Sequence, residues 1–183
     1  MSRFAALGRC TALLLAAFLG NADAADFISY STSTNQQMPL AAPSSSVNWN
    51  GFYAGVYGAS QSSAKGGAQF GGGVDLGINA TFNFVLVGGE IAVQGLDGGA
   101  GTTSYAQAIG RGGILVGDNA LFYGAAGYGI DTGTPEESDV LAGGGLEYAL
   151  SNAVSIRAQY LHGFPAMGDN PKNQITLGAQ FHF

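Results

Sequence analysis

Five charged residues, Asp75, Glu90, Arg111, Glu147 and Arg157, each interrupt an otherwise apolar or glycine-rich stretch. Three carboxylates and two guanidiniums gathered away from water must pair, because an orphaned buried charge costs several kcal/mol. Such a group can serve as a structural ion-pair network. It can also act as a selectivity or gating element in a narrow pore, where rings of charge set which ions pass.

Other routes to chemistry find little support. His162 and His182 are the only histidines. A nucleophile needs a base within hydrogen-bond reach, no His-x-Ser arrangement occurs, and the two rings fall at opposite ends of the expected architecture. No spacing gathers metal ligands. The run "GGGVDLG" (71–77) lacks the helix that a phosphate-binding glycine motif requires, and a strand pattern continues through it. The acidic stretch "PEESD" (135–139) reads as solvated surface rather than as a calcium site. No catalytic, cofactor-binding or metal residues are assigned, and no cofactor is expected.

The charges lie within eight strand-like segments: 51–60, 70–79, 84–94, 105–116, 120–130, 140–150, 154–163 and 174–183. Period-two alternation defines their faces. In the third, Val85, Val87, Ile91 and Val93 oppose Glu90 and Gln94. In the seventh, Val154, Ile156, Ala158 and Tyr160 oppose Ser155, Arg157 and Gln159. In the second, Val74, Leu76 and Ile78 oppose Asp75. Arg111 shares a parity with Gln107, and Glu147 lies opposite Leu146 and Tyr148. Each strand-borne charge thus falls on the face away from the greasy one. The first segment carries Gly on both parities and the fifth carries Tyr and Gly on both, and neither shows a clear face. Inward positions are so often glycine that the narrow lumen is expected to be emptier than is usual for eight strands.

This pattern predicts an all-β fold: a closed eight-stranded antiparallel up-and-down transmembrane β-barrel, apolar outside and polar within. Connections alternate long and short along the chain, as when short turns face the periplasm and longer loops face outward. The closing segment "QITLGAQFHF" (174–183) would pair with the first and leave no edge in lipid. Its row Ile175, Leu177, Ala179, Phe181 and Phe183 would face lipid, with Phe183 in an interfacial aromatic girdle.

Composition agrees with a membrane location. Only 10% of residues are charged, well below the ~25% of soluble domains. Residues 1–24 read as a signal peptide, with Arg3 and Arg9 before the apolar "TALLLAAFLG" and an Ala-x-Ala site at 22–24. Residues 25–48, rich in Ser, Thr, Gln and Pro, read as a disordered periplasmic leader, and 49–183 as the barrel domain. Cleavage would remove the sole cysteine, Cys10, and shift the formal charge from −6 to −7. An acidic chain is a poor partner for nucleic acid.

Three stretches, "WNGFYAGVYGA" (49–59), "GGGLEYALSNAVSIRAQYLHG" (143–163) and "LGAQFHF" (177–183), resemble the small eight-stranded outer-membrane barrels of Gram-negative bacteria, OmpA-type in their membrane domain. The resemblance is strongest to the alphaproteobacterial porin-like outer-membrane β-barrel family and covers about 49–183. It implies a multi-pass location in the bacterial outer membrane. It implies contact with outer-membrane lipid and lipopolysaccharide, and a C-terminal strand read as a signal by the barrel-assembly machinery. A homo-oligomer is compatible with it. The expected function is structural, supporting envelope integrity. The alternatives are a narrow porin-like channel for small solutes or ions, and surface recognition by adhesion or capture of a ligand such as haem.

Overall fold

The computed structural model describes residues 47–64, 67–99, 101–131 and 137–183. The expected signal peptide and the leader up to residue 46 lie outside the described residues. Eight strands follow in order: β1 (Gly51–Ser63), β2 (Gly67–Phe82), β3 (Val85–Gly98), β4 (Thr103–Val116), β5 (Ala120–Asp131), β6 (Glu137–Ala149), β7 (Val154–Met167) and β8 (Lys172–His182). Each is antiparallel to the next, and β8 pairs back onto β1 to close the barrel. The seam runs from Tyr53 opposite His182 to Ser63 opposite Lys172. Closure gives every strand two hydrogen-bonded neighbours, so no backbone edge is left open.

The faces follow the alternation. Phe52, Val56, Leu76, Ile91, Leu177 and Phe183 point outward, each more than half exposed. The polar rows point inward, with Gln61, Gln69, Gln94, Gln107, Gln159, Gln174 and Gln180 all buried. An apolar surface is unfavourable in water by roughly 25 cal/mol per Å². A barrel clad in exposed Phe, Ile, Val and Leu therefore needs an apolar surrounding.

Two expectations are corrected. The strands are longer than ten residues, from 11 in β8 to 16 in β2. The long connections shrink accordingly, and no connection now exceeds five residues. The alternation continues into what the sequence presented as loops: Gln69, Leu96, Asp139 and Lys172 are buried inward-facing residues. The β2–β3 turn is a two-residue one in which Asn83 adopts φ 57°, a conformation that asparagine tolerates better than most residues.

The second correction concerns the inward glycines, which do not leave the lumen emptier than usual. Tyrosine rings lie across the inward glycines. Tyr53 pairs directly with Gly77, and Tyr57 with Gly73. Tyr123 lies between Gly113 and Gly145. A Cβ at Gly77 would collide with the Tyr53 ring, one at Gly73 with Tyr57, one at Gly129 with Tyr105 and one at Gly145 with Tyr123. The missing side chains are thus the beds in which the rings lie flat, a cross-strand device known to strengthen sheets around glycine.

These pairs separate two kinds of glycine. Gly77→Val is expected to destabilise the barrel by about 1–3 kcal/mol through overpacking. Gly95→Ala, where an added Cβ meets nothing within 4 Å, is expected to stay within about 0.5 kcal/mol of the parent. Urea unfolding of both variants in detergent micelles measures the difference, and equal effects would contradict the packing.

Candidate functional site: the charged lumen

The inward rows of all eight strands converge on an ion-pair network at mid-barrel. Arg157 on β7 donates through Nη1 to Glu90 Oε2 on β3, and through Nη2 to Asp75 Oδ1 on β2 at 3.1 Å. Strands β7 and β3 stand four places apart in the ring, so this side chain crosses the lumen. Arg111 on β4 donates through Nη1 to Glu147 Oε2 on β6 at 3.1 Å. Its Nε and Nη2 both reach Asn79 Oδ1 on β2, at 3.1 and 2.9 Å. The structure therefore brings all five sequence-nominated charges into one cluster, each at most 6% exposed.

The tyrosines complete the cluster. Tyr53 donates to Glu90 Oε2 at 2.7 Å, and Tyr123 to Gln159 Oε1 at 2.7 Å. The Arg111 guanidinium lies over the Tyr53 ring, 4.5 Å from its centroid, and 5.2 Å from that of Tyr123. A cation over a desolvated aromatic face gains about 2 kcal/mol or more. The tyrosines so fill space beside the guanidiniums and favour their charge.

Both ends of the lumen are closed by further contacts. At the end carrying the chain's C-terminus, Val47 and Trp49 are buried with Leu86, Leu121 and Ala149. Trp49 Nε1 reaches the Asp118 carbonyl in the β4–β5 turn at 3.4 Å, and its ring meets His182 edge-on with centroids 5.5 Å apart. The residues just before β1 thus lie across this mouth. At the far end, Lys172 Nζ is 3.0 Å from both Glu137 Oε2 and Asp139 Oδ2. Tyr105 also donates to Asp139, at 3.0 Å. Below them Gln174 bridges to Gln94 on β3 at 2.8 Å.

One grouping was invisible in the sequence. Ser155, His182 and Glu147 meet inside the barrel: Ser155 Oγ donates to Glu147 Oε1, and His182 Nε2 lies 2.9 Å from Ser155 Oγ and 3.1 Å from Glu147 Oε1. The residue types are those of a hydrolase triad, but the geometry is different. In a triad, serine and carboxylate occupy opposite nitrogens of the imidazole. Here both meet the same nitrogen, the hydroxyl is committed to the carboxylate, and Ser155 is fully buried. The arrangement ties β6, β7 and β8 together beneath Trp49. The other histidine, His162, is on the outward row of β7, with Nδ1 2.9 Å from Asn173 Oδ1 and its ring against Phe164.

The nominated C-terminal row lies where its parity puts it. Ile175, Leu177, Ala179, Phe181 and Phe183 are all exposed on the outer surface of β8 and its end, with the Phe181 and Phe183 rings 6.2 Å apart. The inward tyrosines and Trp49 were missed. Their signal existed just past the expected strand ends: Gln61 shares the parity of Tyr53 and Tyr57, and Asp131 that of Tyr123.

No protein-family model and no curated protein matches the chain. Solved structures do match in fold. The attachment invasion locus protein Ail of Yersinia pestis aligns over 73% of this chain and 99% of its own, with TM-score 0.56 and 16% identity. Neisserial surface protein A aligns over 73% and 98%, with TM-score 0.53 and 13% identity. The N-terminal β-barrel domain of Pseudomonas aeruginosa OprF aligns over 72% and 97%, with TM-score 0.51 and 12% identity. At these identities the likeness establishes the fold, that of the small eight-stranded outer-membrane barrels.

Removing one guanidinium tests whether the network holds the barrel. Arg157→Met leaves Glu90 and Asp75 without their shared cation, and a loss of about 3–5 kcal/mol is expected. Adding Glu90→Gln and Asp75→Asn to that variant removes the stranded charges and should recover a large part of the loss. Urea titration read by the emission of Trp49, the sole tryptophan, follows both variants.

Proposed function

We propose that this protein is a structural barrel of the bacterial outer membrane, contributing to envelope integrity through its membrane-embedded surface rather than through transport. The observation that carries this reading is the Arg157 side chain lying across the lumen between β7, β3 and β2. A channel of this size would need an aqueous path. Here the central cavity measures about 10 Å³, and hydrophobic and ion-paired closures lie on either side of it. An eight-stranded barrel encloses little more than its own side chains.

The surface-recognition alternative has less to stand on. Connections of at most five residues give limited area for a macromolecular partner, whose stable complexes bury about 800 Å² per side. The name of the Yersinia neighbour describes attachment and invasion for that protein, and nothing in these short connections asks for the same role.

The finer parts of the reading rest on the sequence. Signal cleavage after Ala24 places the mature start at Ala25. The turn-bearing end with both Trp49 and Phe183 then faces the periplasm, and the Lys172 end faces outward. The three stretches described above favour the alphaproteobacterial porin-like family. The lipid-facing row that ends in Phe183 serves as the signal for the barrel-assembly machinery.

Purified barrel in planar bilayers is expected to show no discrete conductance steps, while a strain lacking the protein becomes more sensitive to detergents and bulky hydrophobic antibiotics. Regular steps with a defined ion selectivity would overturn the closed-lumen reading. Deleting Phe183 is expected to lower the amount of folded protein in the outer membrane several-fold in cells, as read by heat-modifiable migration of membrane fractions. Unassisted refolding in detergent should change little. Equal loss in both settings would mean that Phe183 acts through stability alone.

A further inference from the structure

Several buried polar atoms of the lumen are unmatched among the described residues, Asn79 Nδ2 and Gln94 Nε2 among them, and three others belong to residues around one cavity. Among the described residues, Tyr57 Oη, Gln107 Oε1 and Gln180 Oε1 are buried side-chain atoms without a protein partner. All three residues line the central cavity of about 10 Å³, about the space that one water molecule requires. Gln107 is 6% exposed and Gln180 1% exposed. Amide orientation at Gln180 is set by its surroundings, since Nε2 donates to Asp75 Oδ2 at 3.2 Å and so turns Oε1 away from that carboxylate. Leaving a buried acceptor unmet costs about 1–3 kcal/mol, and three such atoms at one point call for a common partner.

We propose that this cavity is a binding site for a single resident water molecule, held by Tyr57, Gln107 and Gln180. The chemistry selects the guest. Two amide oxygens need donors, and one phenolic O–H needs an acceptor. A water molecule offers two donors and an acceptor, so every group is satisfied once. A cation meets the Arg157 guanidinium, which lines the same cavity and repels like charge at short range. An anion meets Asp75, Glu90 and the two amide oxygens. Buried waters in proteins typically make about three hydrogen bonds to otherwise unsatisfied groups, which is the number available here. This water links β1, β4 and β8. It also sits beside the Arg157–Asp75–Glu90 pairs without lying on a path through them.

The test uses the full refolded barrel. A crystal structure at a resolution that shows ordered water is expected to place one density peak within about 2.6–3.2 Å of Tyr57 Oη, Gln107 Oε1 and Gln180 Oε1. In micelles, cross-relaxation between the water resonance and the side-chain amides of Gln107 and Gln180 is expected to report a long-lived molecule. Tyr57→Phe combined with Gln107→Met should abolish that signal while heat-modifiable migration stays intact. Should the double variant fail to fold, the parent crystal structure and its amide cross-relaxation still decide the matter. A peak that appears only with sodium or potassium, at the shorter separations of a metal ion, would overturn the assignment. So would a cavity without density whose amides show no long-lived water.

Discussion

Two guanidiniums in the middle of a barrel impose the condition that the rest of the molecule meets. Arg157 and Arg111 are almost wholly buried, and a guanidinium is a fork of five N–H donors with no acceptor of its own. Each must therefore be surrounded by acceptors held in place by several strands. Glu90, Asp75 and Glu147 supply the charge, Asn79 supplies a neutral oxygen, and Tyr53 and Tyr123 offer ring faces. Because the acceptors sit on β2, β3 and β6 while the donors sit on β4 and β7, the pairs set the register of strands that share no backbone bonds. A one-residue slip in any of them would turn its charge outward and its oil inward. Ion pairs of this kind seldom add net stability over a well-packed apolar core. Their stronger consequence here is to make one pairing of the eight strands far better than its neighbours.

Space inside the ring is the second constraint, and glycine and tyrosine solve it jointly. An inward row of ordinary side chains would leave no room for two guanidiniums and four phenols. Glycines at 73, 77, 129 and 145 let Tyr57, Tyr53, Tyr105 and Tyr123 lie against the wall. Their hydroxyls then reach across to other strands: Tyr53 to Glu90, Tyr105 to Asp139 and Tyr123 to Gln159. The abundance of glycine thus has a local physical purpose, and it explains why a count of inward glycines overstated the free volume. A glycine in a strand lowers its intrinsic preference for that state. The covering ring offsets this by restoring packing on the same patch of backbone.

Much of this was legible in the sequence, and the part that was not has a common cause. Strands with a charge on one parity and branched aliphatics on the other, such as β3 around Glu90 and β7 around Arg157, declare both their existence and their facing. The eight-strand closed fold follows from them. In β1 alanine and glycine, and in β5 tyrosine, alanine and glycine, appear on both parities, and these residues are compatible with either lipid or a polar interior. The residues that resolve the ambiguity, Gln61 and Asp131, lie at the outer ends of their strands, beyond turn-like glycine and serine that suggested a boundary. The same truncation turned Asp139 and Lys172 into loop residues. Contacts such as Ser155 with His182 were invisible for another reason: they join different strands at a depth set by register, which no local pattern encodes.

A barrel closed in this way restricts where its activity can lie. At the terminal mouth, Trp49 rests on His182 and reaches the β4–β5 turn, above Leu86 and Leu121. At the other end Lys172, Asp139 and Tyr105 form a second closure over the Gln174–Gln94 bridge. Between them the charges are mutually satisfied, and the central cavity is of the order of one solvent molecule. Diffusive passage would require breaking at least one buried pair, whose partners would then stand uncompensated in a low-dielectric interior, at a cost of several kcal/mol for each transit. The same cost protects the interior from hydrolytic chemistry, since Ser155 cannot meet a substrate without dismantling Glu147 and His182 around it. What is left to interact with other molecules is the outer wall with its aliphatic and aromatic rows, and the short connections at each rim. On the structural reading proposed above, function lies at the lipid-facing surface and not in the lumen.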